Sequence, residues 1–284
     1  MEKRELGRTG ERLSVVGFGG IVVMDETASA AADLVSKAVK RGVNYFDVAP
    51  SYGNAEDRLG PALEPYRDLV FLGCKTEMRT RDEAATALRQ SLAKLRTSRF
   101  DLYQFHGVRS MADVEQILGP GGAMEAFLDA REKGLVRFIG FSAHAEAPAL
   151  AMLDRFDFDS ILYPINWVCW HQGKFGPAVL QKAVEKGVGR LALKALAKTS
   201  KSEGDGGRWP KCWYSPVDTA EDASLALRFT LSRPVTAALS PSHAELLWWA
   251  CDAADRFTPL SDAEEAELAC RGAGIAPIFP HDYD

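Results

Sequence analysis

Short runs of apolar, β-branched and aromatic residues alternate along this chain with longer segments whose apolar residues recur every three or four positions. Runs of the first kind are typical of buried strands, and segments of the second kind are typical of amphipathic helices. Regular alternation of the two predicts strand–helix units around a parallel sheet. The eight predicted strands are residues 15–19, 45–49, 70–75, 101–106, 138–142, 160–166, 190–194 and 235–239.

The predicted helices lie between and after these strands, and several end in a basic residue followed by glycine, as at Lys133-Gly134. A cation in the last turn and a glycine just beyond it are typical helix stops. The predicted helices are residues 29–41, 81–95, 122–133, 145–155, 177–186, 222–231, 243–256 and 262–271.

Eight strand–helix units predict an α/β fold of the (β/α)8 TIM-barrel type, formed as a single domain over residues 1–284. The alternative is a doubly wound open sheet, which would carry a G-x-G-x-x-G loop after its first strand. The first strand gives Gly17-Phe18-Gly19-Gly20 here, which is not that motif and favours the barrel. Residues 3–14 are expected to form a hairpin that plugs the N-terminal end, and residues 198–218 a long loop after strand seven.

Composition narrows the class of protein. The chain is 46% hydrophobic with a net charge of -5, so charge gives no reason to expect nucleic acid or an anionic membrane as a partner. The polar N-terminus lacks the apolar core of a signal peptide, which favours a cytoplasmic location. The five cysteines are irregularly spaced and include no C-x-x-C pair, so we expect neither a disulfide framework nor a metal site.

Four polar residues stand out because three of them end successive predicted strands. Asp47, Lys75 and His106 end strands two, three and four, and Tyr52 follows strand two. In a barrel these positions converge on one mouth. A lysine cation favours the phenolate of a tyrosine, a carboxylate orients the lysine, and a neutral histidine can polarise a carbonyl. The set suits proton delivery to an oxygen, and a cofactor would have to supply hydride.

Taken singly, each of these residues has a plain structural interpretation. A lysine or histidine at a strand end is usually a polar rim residue, and an aspartate there can simply cap the following helix. Their joint placement at three consecutive strand ends favours a catalytic set, which we predict to be Asp47, Tyr52, Lys75 and His106.

The sequence resembles the aldo-keto reductase family over nearly the whole predicted barrel. The segments that carry the resemblance are residues 6–10 (LGRTG), 46–56 (FDVAPSYGNAE), 74–76 (CKT), 101–106 (DLYQFH) and 134–142 (GLVRFIGFS). The resemblance implies a redox enzyme that interconverts a carbonyl and an alcohol. It implies that Tyr52 is the general acid and base, that Lys75 and Asp47 tune it, and that His106 orients the carbonyl.

The resemblance also implies a nicotinamide cofactor. Ser142 and Asn166 match positions that hold the carboxamide in relatives, and the ends of strands seven and eight would bind the rest of the cofactor. The candidates there are Lys194, Ser240, Ser242 and His243.

The residues after strand eight depart from the family pattern. The resemblance implies NADP(H), the cofactor that members of the family usually bind. No lysine or arginine lies between Val235 and Ala254 to pair with a 2′-phosphate, so NAD(H) stays open as the alternative cofactor. Ser142 is followed by Ala143 where relatives often carry asparagine, so His144 could supply that contact.

The substrate is expected to be a small molecule whose carbonyl or alcohol group belongs to a sugar or to an aromatic compound. Trp167, Trp170 and Trp213 are the candidate stacking residues in the loops around the mouth. Two other functions stay open: a nicotinamide-binding regulatory barrel without turnover, and an aldolase using Lys75 or Lys194 as a Schiff-base nucleophile. The sequence leaves a homo-oligomer open.

Overall fold

The computed structural model describes residues 1–202 and 207–280. Two short strands, β1 (Lys3–Glu5) and β2 (Arg12–Ser14), pair antiparallel ahead of a closed barrel of eight parallel strands. The barrel strands are β3 (Val16–Gly19), β4 (Tyr45–Val48), β5 (Phe71–Thr76), β6 (Phe100–Val108), β7 (Val136–Ala143), β8 (Ser160–Pro164), β9 (Gly189–Leu193) and β12 (Ala237–Leu239). The predicted barrel is therefore confirmed, and every predicted strand bound lies within two residues of the observed one.

Helices follow the barrel strands, and all eight predicted ones are present. They are α1 (Ala28–Lys40), α2 (Ala55–Leu63), α3 (Arg81–Lys94), α4 (Met111–Leu118), α5 (Ala123–Glu132), α6 (Glu146–Arg155), α7 (Trp167–His171), α8 (Pro177–Glu185), α9 (Ala220–Leu231), α10 (Ala244–Asp255) and α11 (Asp262–Gly272), with 3-10 helices at Gly20–Val23 and Glu64–Leu69. The predicted C-terminal glycines Gly42, Gly134 and Gly187 all adopt the left-handed conformation, which glycine reaches without steric cost.

Three short helices and one hairpin were not predicted. The helices α2, α4 and α7 have only nine, eight and five residues, and segments this short carry the apolar period weakly, although α8 was predicted at the same length as α2. The predicted loop at 198–218 carries part of an antiparallel pair, β10 (Ala197–Ser200) and β11 (Tyr214–Pro216). Residues 203–206 of that loop lie outside the described residues.

The N-terminal hairpin plugs the barrel as predicted. Leu6 and Leu13 are fully buried and join the cluster of side chains inside the barrel, beside Tyr45 and Phe71. Gly7 adopts a left-handed conformation there, and a Cβ on it would lie 2.4 Å from the backbone nitrogen of Gly189. The plug fills the end of the barrel opposite the loops that hold the candidate catalytic residues.

Candidate active site

A cavity of about 800 Å³ opens at the C-terminal mouth of the barrel. The four predicted catalytic residues Asp47, Tyr52, Lys75 and His106 all line it. Its other walls come from Gly19, Gly20, Ile21, Ser51, Glu77, Arg109, Ser142, His144, Ala145, Leu162, Leu193, Lys194, Trp213, Tyr214, Leu239, Ser240, Pro241, Ser242 and Phe279. The convergence expected from strand order is therefore present.

Asp47 and Lys75 form a buried ion pair on the neighbouring strands β4 and β5. Each side chain is only 1% exposed, and Lys75 Nζ donates to Asp47 Oδ1. Burial, together with the positive charge of Lys194, lowers the pKa of Lys75. The Asp47 carboxylate opposes that effect by favouring the ammonium form.

Two further residues hold the Asp47 carboxylate, and sequence reasoning did not single them out. The Tyr45 hydroxyl and Gln104 Nε2 both donate to Asp47 Oδ2, at 3.2 and 2.8 Å. The strand between them makes room because Gly73 has no side chain: a Cβ there would lie 3.1 Å from Asp47 Oδ2. Side chains alternate between the two faces of a strand, so residues 45 and 47 of β4 and residue 104 of β6 can all point into the barrel. That alternation is the signal that could have identified Tyr45 and Gln104.

Tyr52 lies against the ion pair, with Lys75 Nζ 5.2 Å from the centre of its ring. Burial raises the pKa of Tyr52, and the charges of Cys74 and Glu77 raise it further. The expected lowering of that pKa by Lys75 is thus outweighed by burial. The consequence is a phenol that stays protonated at neutral pH, which is the form that donates a proton.

His106 completes the group on the other side of Tyr52. The two rings meet edge to face at 5.7 Å between centroids, and His106 Nδ1 lies 3.4 Å from Ser51 Oγ. Burial and the neighbouring cations Lys75 and Arg79 lower the pKa of His106 to about 2. The imidazole is therefore neutral, and its Nε2 is left for a ligand oxygen.

Lys194 enters the cavity from the end of β9. Its backbone is left-handed (φ 66°), and its Nζ lies 4.9 and 4.8 Å from the ring centres of Trp213 and Tyr214. Burial lowers the pKa of Lys194 to about 8. Among the described residues no carboxylate lies within ion-pair distance of it, so its charge is available to an anion.

The remaining cofactor candidates divide into two groups. Ser142, Ser240 and Ser242 line the cavity, although Ser142 Oγ already accepts from Gly107 N at 2.8 Å and Ser240 Oγ from Gly19 N at 3.0 Å.

Asn166 and His243 do not line the cavity. Asn166 caps α7 by accepting from Cys169 N at 2.9 Å, and His243 Nε2 accepts from Lys211 N at 3.1 Å. Asn166 would have to leave its present partner to hold a nicotinamide, and His243 would have to leave its own to bind a cofactor phosphate.

Of the three predicted stacking residues, only Trp213 lines the cavity, with 53% of its surface exposed. Trp167 is 5% exposed and packs against Gly272 of α11. Trp170 packs edge-on against Phe229 at 6.1 Å. Both lie in or beside α7, which turns them away from the mouth.

The long loop brings cations to the start of α10, which sequence reasoning missed. Arg208 bonds to Glu245 of α10 and stacks over Trp209 and Trp249. Lys211 reaches His243 through its backbone and bonds to Glu26 through Nζ at 2.7 Å. These residues lie far from strand eight in sequence, so a search confined to the residues after that strand could not find them.

No helix in residues 1–202 and 207–280 is long and apolar enough to cross a membrane. Over the same described ranges, no group of three or more histidine, cysteine, aspartate or glutamate residues could hold a metal ion.

Comparison with known proteins agrees with the barrel. The chain is 29% identical over 157 residues to the uncharacterized oxidoreductase YqkF of Bacillus subtilis, a match that spans 50% of this chain and 49% of that protein. It is 27% identical over 244 residues to L-galactose dehydrogenase of Arabidopsis thaliana, covering 80% of this chain and 74% of that one. The holo form of aldo-keto reductase AKR11C1 from Bacillus halodurans superposes with a TM-score of 0.74 at 24% identity, over 98% of this chain and 99% of that one.

A model of the Aldo/keto reductase family matches residues 16–209, which is more than half of the chain. That match spans β3 to β10 and includes the four residues that converge at the mouth. The protein therefore belongs to the aldo/keto reductase family of NAD(P)-dependent oxidoreductases.

Proposed function

We propose that this protein transfers hydride between a nicotinamide cofactor and a carbonyl or alcohol carbon, with Tyr52 as the proton donor and acceptor. The observation that carries the proposal is the convergence of Tyr52, His106 and the Asp47–Lys75 ion pair on one wall of the cavity. None of these groups can carry hydride, so the redox step requires a cofactor.

The cavity fits such a cofactor in size and charge. Its volume of about 800 Å³ lies within the usual range of cofactor pockets. Lys194 presents a cation to it, and Ser240 and Ser242 line it in the segment just before α10. Ser142, Lys194, Ser240 and Ser242 are the residues that would hold the cofactor, which supplies hydride when bound.

The side chains of the catalytic group would act in sequence on the substrate oxygen. His106 is neutral and would donate a hydrogen bond from Nε2 to the carbonyl oxygen. Tyr52 would then give its proton to that oxygen as negative charge develops there. Lys75 stabilises the phenolate that remains, and Asp47 keeps Lys75 charged and in place. In the direction of oxidation the same phenolate would take the proton back.

The preferred cofactor is proposed to be NADP(H). The residues after β12 provide no cation, but Arg208 and Lys211 of the long loop lie beside Glu245 and His243 at the start of α10. A guanidinium can bind a phosphate through two parallel hydrogen bonds. For Arg208 to bind a 2′-phosphate, it would exchange its Glu245 partner for that group, so NAD(H) remains the alternative that titration decides.

The substrate is proposed to be a sugar or an aromatic carbonyl compound. Trp213 presents an exposed indole at the mouth beside Lys194, and such a face can stack on a sugar or an aromatic ring. The name of the Arabidopsis relative, an L-galactose dehydrogenase, supports a sugar.

Fluorescence titration with NADPH and NADH tests the proposal, with Lys194→Met and Arg208→Met as variants. We expect Lys194→Met to weaken both cofactors and Arg208→Met to weaken NADPH alone. Binding of a cofactor without turnover on any aldehyde, ketone or keto-sugar would favour the regulatory barrel instead. Failure of both cofactors to bind would remove the proposed function.

A further inference from the structure

A second cavity, of about 590 Å³, lies beside the catalytic one. Residues of α2 and α3 and of the loop after β5 form its walls. Three residues, Ser51, Glu77 and His106, line both cavities. These three side chains form the boundary that a substrate held at His106 would have to pass to extend into the second cavity, which we term the α2–α3 pocket.

The charged groups that line the α2–α3 pocket are mostly acidic. Four carboxylates, Glu56, Glu77, Asp82 and Glu83, face a single ammonium group, that of Lys94. By contrast, the neighbouring catalytic cavity presents the cation Lys194, which has no carboxylate partner among the described residues. The two compartments thus differ in sign, and the α2–α3 pocket favours positive charge.

The inner wall of the pocket holds two buried polar groups whose hydrogen-bond and ion-pair partners are distant or are thiols. Glu56 is only 2% exposed, yet its nearest partners are the Cys74 thiol at 3.8 Å and Lys94 Nζ at 3.7 Å. Ser91 is fully buried, and its hydroxyl has no oxygen or nitrogen partner, only the Cys74 thiol beside it. A buried carboxylate whose countercharge is distant gains free energy from a ligand that brings a positive charge, and a buried hydroxyl gains further from a ligand that can form a hydrogen bond with it.

We propose that the α2–α3 pocket is a substrate subsite that binds a cationic group, such as an ammonium, attached to the carbonyl compound reduced at Tyr52 and His106. The inference rests on the proposed function for the carbonyl end and on the pocket itself for the cationic end. Glu77 stands at the junction, 3.8 Å from His106 Nδ1, where it would contact the connecting part of the substrate.

Two matched aldehydes test this subsite. The probes are 4-[(trimethylammonio)methyl]benzaldehyde and 4-neopentylbenzaldehyde, which have the same shape and differ in charge. We expect the cationic aldehyde to have the higher kcat/KM and the preference to shrink as salt is added. Calorimetric titration with benzylammonium and with benzyl alcohol gives a second readout that needs no turnover.

The test variant is the double substitution Asp82→Asn and Glu83→Gln, in the exposed first turn of α3. It should lower the preference for the cationic probes by about 1.4- to fivefold per carboxylate, the range measured for exposed ion pairs. The control is Asp129→Asn on α5, which removes one exposed carboxylate, paired with Lys133, outside the pocket, and it should leave the preference unchanged.

The outcomes separate the two proposals. If the wild type shows no preference for the cationic probes, or if the double variant keeps the full preference, the subsite inference is wrong. If benzylammonium binds in a charge-dependent way but neither aldehyde is reduced, the subsite stands and the reductase proposal fails.

Discussion

Replacing Lys75 by methionine should destabilise the fold by about 3–5 kcal/mol near neutral pH, the usual cost of removing one partner of a buried ion pair. Both side chains of the pair are 1% exposed, so water cannot replace the lost ammonium. The Asp47 carboxylate keeps its bonds from Tyr45 at 3.2 Å and Gln104 at 2.8 Å. Because hydrogen bonds to a charged group contribute roughly 1.5–3 kcal/mol each, the loss should lie near the lower limit.

The penalty should also depend on pH. Without Lys75, the folded state holds an unpaired buried carboxylate at neutral and high pH, and a carboxyl group that is protonated at low pH does not carry that penalty. The variant should therefore lose less stability at about pH 5 than at about pH 8.

Urea unfolding followed by tryptophan fluorescence measures this loss. The control is the double variant Asp47→Asn and Lys75→Met, in which no unpaired charge remains, and it should recover much of the stability lost in Lys75→Met. A loss below about 1 kcal/mol in the single variant, or a double variant no more stable than the single one, would refute the account of the ion pair.

Three further predictions follow from the site. Tyr52→Phe should lower kcat by roughly 10²–10⁴-fold without changing the Kd of the cofactor; an unchanged kcat would count against Tyr52 as the donor. Burial lowers the pKa of His106 to about 2 and of His144 to about 3. Protonation of these residues therefore favours the unfolded state, and the stability of the fold should fall as the pH drops below about 6.5. The double variant His106→Gln and His144→Gln should flatten that fall. Trp167→Ala should cost about 3–5 kcal/mol of stability and spare KM, whereas Trp213→Ala should raise KM and spare stability.

The barrel and the convergence of the four candidate catalytic residues could be predicted from the sequence because both follow from local pattern. An apolar run in the sequence marks each strand, and in a parallel barrel every strand ends at the same mouth. Asp47, Lys75 and His106 therefore had to converge once their strands were recognised. Reasoning from strand ends alone did not give the partners of Asp47, because Tyr45 and Gln104 lie within their strands, where only the period-two alternation of β4 and β6 could have identified them.

Asn166, Trp167 and Trp170 were predicted to face the mouth and do not line the cavity. All three lie at or in one short helix, whose single turn sets the direction of their side chains. The helix α7 has five residues, and Asn166 begins it by accepting from Cys169 N. That short helix places Trp167 against α11 and Trp170 against α9, away from the mouth. No periodicity marks so short an element, so the family resemblance at Asn166 and the aromatic character of the two tryptophans suggested their roles without showing where the side chains point.

The most direct test of the central claim is whether the protein moves hydride to a carbonyl carbon under the control of Tyr52. The measurement is the transfer of deuterium from C4-deuterated NADPH or NADH to an aldehyde, followed by mass spectrometry of the alcohol, for the wild type and for Tyr52→Phe. The account predicts deuterium on the carbonyl carbon with the wild type and a rate lower by roughly 10²–10⁴-fold with the variant. Alcohol without deuterium, or equal rates for the two proteins, would contradict it.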